Sequence, residues 1–330
     1  MAAKSHRALK ITGIVIGVIV GIALIAVVAL NIYMRAAFAP FFDRAESPFD
    51  IPGINTGFVP QDLDHVEADD SWLFSGYMAD HSPSPIYRRA TDGTITKFYV
   101  SLPDGSPYDG HGSAITTNEQ YAYLACEEGY LVIPMDDLLF AEDGASVQAT
   151  EKVDVDFSPA FMNIEQGQLL LGNFYYPNDY ETPENHHITT PDGTENPTVM
   201  YAFAADPAEP GRFLTVPDNV FSIPGMVQGT CITDDGRIVL SVSYGIAPSH
   251  LFAYNVNLAA PDGTFTTGSG DEVELFCLDS RNLTEDLVGP PMQEGIESHD
   301  GRVYTTDESA SNKYIFGKLC GAGRVYAVQL

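Results

Sequence analysis

Five short segments spread along the chain each carry a polar side chain that could do chemistry. They are Gln61-Asp62-Leu63, His111-Gly112-Ser113, Phe161-Met162-Asn163, Gln228-Gly229-Thr230 and Glu294-Gly295-Ile296. If the fold gathers them, Asp62, His111, Asn163, Gln228 and Glu294 form a ring of oxygen and nitrogen donors suited to a hard cation or a small polar molecule. The densest polar stretches are Gln293 to Glu297 and Asp307 to Tyr314. Glu294 and Glu308 are expected to face one another. Paired carboxyls either bind a cation or split their pKa values into an acid and a base, so Glu308 and His111 are the candidates for proton transfer. The competing reading is structural: Lys313 neutralises the pair, and the remaining polar groups hydrogen-bond neighbouring strand ends.

Positioning such residues requires a repeated strand unit, and the sequence contains one. About ten residues after each polar segment comes a second apolar run: Trp72 to Phe74, Tyr121 to Leu124, Leu169 to Leu171, Ile238 to Leu240 and Val303-Tyr304. Third runs follow at Ile86-Tyr87, Tyr130 to Ile133, Met200 to Phe203, Leu251 to Tyr254 and Val325 to Val328. Fourth runs are expected at Lys97 to Leu102, Glu151 to Val155, Arg212 to Val216 and Val273 to Leu278. Asp-Gly pairs such as Asp92-Gly93 and Asp235-Gly236 punctuate the runs, as tight turns between strands do. No long amphipathic helical pattern appears after Met34.

A degenerate repeat of four short strands reads as an all-β β-propeller. Five copies predict five blades, with six as the alternative because the copies starting at Phe161 and Gln228 are long. The fifth copy ends at Leu330 without a fourth strand, so a segment between Glu46 and Phe58 is expected to complete it and close the ring. The propeller proper is placed at residues 58–330, after a stalk at 35–57.

First strands line a propeller's channel, and their starts share a face with the ends of the second strands. That face should therefore also hold Tyr77, Glu127, Asn173, Tyr244 and Glu308. The long connections at 76–85, 174–199, 245–250 and 309–324 open there, and long loops on a rigid frame are where function concentrates. Asn173 and Tyr244 join the candidate ligand-binding set on this ground. Tyr175, Tyr176 and Tyr180 point to docking of a partner, or to ordinary loop packing.

Several chemistries are absent at the level of motif. There is no Gly-x-Ser-x-Gly, His-Glu-x-x-His, phosphate-binding glycine loop or Cys-x-x-Cys, and His186-His187 lacks a matching ligand set nearby. Asn282-Leu283-Thr284 is a glycosylation acceptor where the host has that machinery. The four cysteines allow three full pairings, and at most one disulfide is expected, with Cys231 buried as a thiol.

Residues Ile11 to Met34 form an uncharged run of 24 residues, about 36 Å as a helix, enough to span a bilayer. Lys4, Arg7 and Lys10 precede it, which favours a cytoplasmic segment 1–10, a single-pass anchor at 11–34 and an exported domain. A cleaved signal peptide is the alternative, disfavoured by the length of the run and by Pro40. Gly13, Gly17 and Gly21 lie on one helix face, where a second helix could approach to form a dimer. From Ala45 onward there are 11 basic and 44 acidic residues, a formal charge of −33. Such a surface repels nucleic acid and draws cations or basic partners.

Units such as Thr233-Asp234-Asp235-Gly236-Arg237-Ile238 and Ser298-His299-Asp300-Gly301-Arg302-Val303 make the chain resemble membrane-anchored bacterial β-propeller proteins. More distantly it resembles the superfamily of gluconolactonase/regucalcin-type and quinoprotein-like propellers. The resemblance implies a channel calcium, with Glu294 and Asn163 the matching candidates by position, and Asp62 from the same ring added to the metal set. The functional expectation is a surface-displayed propeller binding a small polar ligand or a cell-surface protein at its channel mouth. The alternatives are a calcium-assisted hydrolase of an ester or lactone and a structural envelope spacer.

Overall fold

The computed structural model describes Ala2–Leu330. Met1 and the side chains before Lys10, Lys4 and Arg7 among them, lie outside the described residues, as does the Ile315 side chain. The first element, helix α1 (Ala2–Ala37), contains one 28-residue apolar stretch, Lys10–Ala37, long enough to cross a bilayer. Most of its Ile, Val and Leu side chains from Ile11 to Ile32 are exposed, a pattern that serves a single-pass anchor or a signal sequence. A side chain at Gly13, Gly17 or Gly21 would meet nothing, so that face of the helix is open.

The rest is a five-bladed β-propeller. Each blade's strands run antiparallel from the centre outward, and alternate residues are buried against the blades on either side. Blade one comprises Phe58–Val66, Ser71–Met78, Pro85–Arg89 and Ile95–Ser101, with Ser146–Gln148 added in parallel at its edge. Blade two comprises Ile115–Thr117, Tyr121–Cys126, Gly129–Pro134 and Glu151–Asp154. Blade three begins with Phe161–Glu165, Gln168–Gly172, Thr198–Ala204 and Asn219–Ile223. Blade four comprises Val227–Ile232, Ile238–Val242, Ser249–Tyr254 and Leu283–Gly289, and blade five Gln293–His299, Arg302–Asp307 and Arg324–Val328.

Blade five is completed from the other end of the chain. Ala45–Asp50 pairs antiparallel with Arg324–Val328, Ala45 opposite Val328 and Asp50 opposite Arg324. Residues 35–57, read from the sequence as a stalk with a ring-closing strand, thus hold this strand and a short helix, α2 (Ala39–Arg44). Phe38 and Phe41 of this region are buried between blades four and five, against Leu287, Tyr326 and Val328. Asn31 of α1 donates from Nδ2 to the Leu319 carbonyl at 2.6 Å, so the last turns of α1 are docked on blade five.

The core is divided into five apolar clusters, one at each junction between neighbouring blades. The largest buried rings include Phe74, Phe98, Tyr123, Phe161 and Phe276, which fill the gap between twisted sheets that glycine or alanine would leave open. The turns obey local chemistry. At Thr233 to Arg237, Gly236 adopts φ +83°, its N–H donates to the Thr233 carbonyl, and Asp235 accepts from the Thr233 hydroxyl.

Three strand assignments made from sequence are corrected. Arg212 to Val216 is not the fourth strand of blade three; Asn219–Ile223 is. The earlier stretch is held on blade two instead, where Phe213 packs edge-on to Tyr123 at 5.5 Å and the Arg212 guanidinium lies 4.4 Å over the Tyr121 ring. Val273 to Leu278 is not the outer strand of blade four. It forms a hairpin, Gly263–Thr266 with Glu272–Cys277, which joins blade three in parallel with Asn219–Ile223 and buries Phe265, Val273 and Leu275. His111 does not begin the first strand of blade two. That strand starts at Ile115, because Gly112 holds φ +58° against the Gly76 carbonyl, where a Cβ would sit 2.9 Å away.

Candidate functional site

Where the innermost strands begin, the fold opens into a pocket of about 850 Å³. Its walls include the connections expected from the sequence: Tyr77, then Phe174 to Pro183, then Tyr244-Gly245, then Lys313-Tyr314. Of the predicted residues, His111, Asn173, Gln228, Tyr244, Glu294 and Glu308 line it.

The floor is a carboxyl pair. Glu294 enters from the innermost strand of blade five, and Glu308 from the 3₁₀ turn after its second strand; the two share a hydrogen bond. Burial, then the charges of Glu308 and Asp307, pushes Glu294 well above the ordinary carboxylate range. Glu308 is raised to about 7, chiefly by burial. Glu294 is therefore the protonated donor and Glu308 the acceptor, since two carboxylates in contact cannot both ionise at neutral pH.

A polar relay leads away from this pair. Gln61 Nε2 donates to Glu308 Oε2 and to the Pro60 carbonyl, both at 3.0 Å, which leaves Gln61 Oε1 to accept from His111 Nε2 at 2.6 Å. His111 is neutral, its pKa lowered to about 4 by burial and then by Lys313. The amide partner fixes the tautomer, so Nδ1 is the unprotonated nitrogen. Tyr77 stacks on His111 at 4.4 Å and accepts from Lys313 Nζ.

The opposite wall is aromatic. Phe174, Tyr180 and Tyr244 line it: Phe174 meets Tyr180 edge-on at 5.3 Å, and Tyr244, stacked at 3.9 Å on Tyr176 outside the lining, donates from its hydroxyl to Asp179 Oδ2 at 2.9 Å. Asn173, between wall and floor, is held by the Thr198 hydroxyl and lies 3.4 Å from His186 Nδ1.

Two predicted ligands lie elsewhere. Asp62 is buried and used structurally: its carboxylate accepts the Leu63 and Ile115 N–H groups, each at 2.9 Å, tying blade one to blade two. Asn163 sits deeper in the channel and donates to the Thr230 carbonyl at 3.0 Å and to Glu297 Oε2 at 2.7 Å. Neither lines the pocket, so the set of Glu294, Asn163 and Asp62 is not gathered around one point. Around Asn163 lies a second carboxyl layer, Asp64, Glu165 and Glu297. Burial raises Asp64 to about 8 and Glu165 to about 7, and raises Glu297 well above the ordinary carboxylate range with help from Asp64 and Glu165.

Sequence reasoning missed a wall made by Asp156, Phe157, Ser158, Pro159 and Ala160, which carry the chain from blade two to blade three across the pocket. It also missed Tyr108 and Met292. Met292 adopts φ +66°, a left-handed conformation costly for an unbranched side chain and typical of sites held by surrounding structure. The available signal was topological: every step from an outer strand to the next inner strand returns to this face. All four cysteines are free thiols, with Cys126 on the pocket wall and Cys231 fully buried.

No protein-family model and no curated protein sequence matches the chain. Solved structures do match. An aldose sugar dehydrogenase from Streptomyces coelicolor, solved in its PQQ-bound form, is 12% identical with a TM-score of 0.44, over 86% of this chain and 97% of that one. A gluconolactonase from Xanthomonas campestris is 11% identical with a TM-score of 0.42, over 87% and 95%. Kuenenia stuttgartiensis hydrazine synthase is 11% identical with a TM-score of 0.38, and the match spans 57% of its chain. At such identities and TM-scores the likeness is one of fold alone.

Proposed function

We propose that this protein is a membrane-anchored, extracytoplasmic propeller that binds a small polar ligand, uncharged or cationic, in the pocket at its channel mouth. The observation that carries the reading is the pairing of a proton-sharing carboxyl floor, Glu294 with Glu308, with an aromatic wall of Phe174, Tyr180 and Tyr244 in the same pocket. Such a floor, its one proton shared between the two carboxyls, accepts hydrogen bonds from a ligand, while aromatic faces take the C–H side of a polyol or a cation. Glu127, Asp156, Glu181, Glu294 and Glu308 outnumber Lys313 among the charged lining residues, which disfavours anions. The exposed apolar stretch of α1 supports anchoring.

The test is calorimetry on the full chain in detergent, with a panel of monosaccharides, polyols, choline and, as anionic control, gluconate. At least one neutral or cationic probe should bind and gluconate should not. Glu308→Gln and Tyr244→Ala should each weaken binding at least tenfold, in line with about 1.5–3 kcal/mol for a hydrogen bond to a charged group. Preferred binding of gluconate, or unchanged affinity in both variants, would rule the reading out.

A second reading, a calcium-assisted hydrolase of an ester or lactone, is favoured by one observation: Glu308 near 7 is suited to proton transfer at neutral pH. His111, near 4, is a weak base there. In this reading Glu294 is the calcium ligand, without Asp62 or Asn163, and Glu308 is the proton-transfer group. Calcium titration of the wild type and of Glu294→Gln separates the two readings.

A further inference from the structure

At the end of the channel opposite the pocket, the innermost strands of blades one and five finish side by side. Phe58–Val66 ends with His65, and Gln293–His299 ends with His299. The turn after the first strand returns Asp70, at φ +55°, so that its Oδ1 lies 2.9 Å from His65 Nε2. The two imidazole rings lie face to face, centroids 3.7 Å apart and 34° from parallel. One donor atom from each of His65, His299 and Asp70 falls within 4.8 Å of the other two.

We propose that His65, His299 and Asp70 form a binding site for a borderline divalent transition metal, of the zinc, nickel or copper class. Two imidazoles and one carboxylate are the donor set such ions select, whereas calcium and magnesium take oxygen-rich sets. Ligands around a tetrahedral zinc lie roughly 3–3.5 Å apart, from bond lengths of ~2.0–2.2 Å, so the present spacing closes on an ion by small side-chain rotations. The exposures are graded as an open site needs: His65 is buried, His299 half-buried and Asp70 exposed, leaving solvent or a ligand the remaining position. Asp300 Oδ2 lies 3.5 Å from His299 Nε2, placed to orient that ring as carboxylates orient metal-bound histidines. The site is separate from the pocket and shares none of its lining residues.

The protein carries its own reporter. Trp72, the only tryptophan, has its ring centroid 5.2 Å from that of His65 and 5.7 Å from that of His299. The experiment is titration of untagged, chelator-stripped full chain in detergent with nickel and with copper ions, read by Trp72 fluorescence, then competition with zinc. Saturable quenching at one ion per chain is expected, reversed in part by zinc and left unchanged by calcium. His299→Gln and Asp70→Asn, which change the less buried positions, should raise the half-saturating concentration at least tenfold while near-ultraviolet circular dichroism stays native. Absence of saturable quenching, equal quenching in both variants, or displacement by calcium would overturn the proposal and leave the cluster as aromatic packing alone.

Discussion

Gly295→Ala is expected to be the most damaging single methyl group in the chain, lowering stability by about 3–5 kcal/mol and the melting temperature by roughly 10 °C. Gly295 lies at an irregularity in the innermost strand of blade five. A Cβ there would stand 1.6 Å from Asp62 Oδ1 and 2.7 Å from Asp62 Cα. The Asp62 side chain cannot swing aside without abandoning the Leu63 and Ile115 N–H groups, and its backbone is part of blade one. From the other side, Gly229 of blade four brings its own Cβ position to 2.9 Å from Gly295 Cα. Three blades therefore meet on two glycines. Gly236→Ala is the control: its φ of +83° is strained for alanine, but no atom lies within 4 Å, so about 1 kcal/mol is expected. Thermal melts of the two variants should differ several-fold in their shift. Equal shifts would mean that backbone strain, and not the meeting of blades, sets the cost.

The second large effect is a fall in stability from about pH 5 to pH 8. Asp64, Glu165, Asp307 and Glu308 hold their protons up to about 8, 7, 7 and 7, all first because of burial, and Asp62, Glu294 and Glu297 are raised as well. The unfolded chain releases these protons near pH 4 to 4.5, so the native state binds more protons above that range. The stability they contribute is complete below the unfolded values and is lost as pH rises through 7 and 8. His111 and His186 act oppositely. With pKa values lowered to about 4 by burial, they favour the native state above pH 6.5 and lose that contribution as pH falls toward 4. His299 is lowered by burial as well, and three histidines against seven carboxyls place the optimum near pH 5. At about 1.4 kcal/mol per pH unit per proton, the decline to pH 8 amounts to several kcal/mol. Glu297→Gln, which removes the ionisable group yet keeps an oxygen for Asn163, should flatten the profile and raise the melting temperature at pH 8. A melting temperature that rises from pH 5 to pH 8 would refute this account.

The blade count and the face that carries the pocket were legible because both follow from period and direction. Apolar runs at regular spacing give strands, and strand direction assigns Glu294, Glu308, Gln228 and Tyr244 to one rim. Partner choice was not legible. Glu272–Cys277 alternates as a strand should, and nothing local says that it adds to blade three in parallel and not to blade four. Nor does polarity at a strand start say where the side chain points. Asp62 and Asn163 look like ligands in sequence, but the strand carries them to neighbours with unsatisfied N–H and C=O groups, which they satisfy. His65 and His299 escaped notice because they stand at the far ends of the same strands, distant in sequence and adjacent only once blade five has closed onto blade one.

That closure has a mechanical consequence. The strand that completes blade five, Ala45–Asp50, is joined through α2 directly to α1, so any tension along the helix arrives at the seam where this strand pairs with Arg324–Val328, backed by the Glu46–Arg302 ion pair and by Phe49 against Trp72. Load applied at Ala45 meets the Ala45–Val328 pair first, and the strand would peel one pair at a time, a weak geometry against force. Upstream of the seam, however, Phe41 is fully buried against Tyr326 and Leu287, and Arg44 is ion-paired to Glu285 of blade four. These contacts must shear together before the seam feels the pull. The short helix would therefore act as a strain relief, spreading any load carried by α1 over two blades.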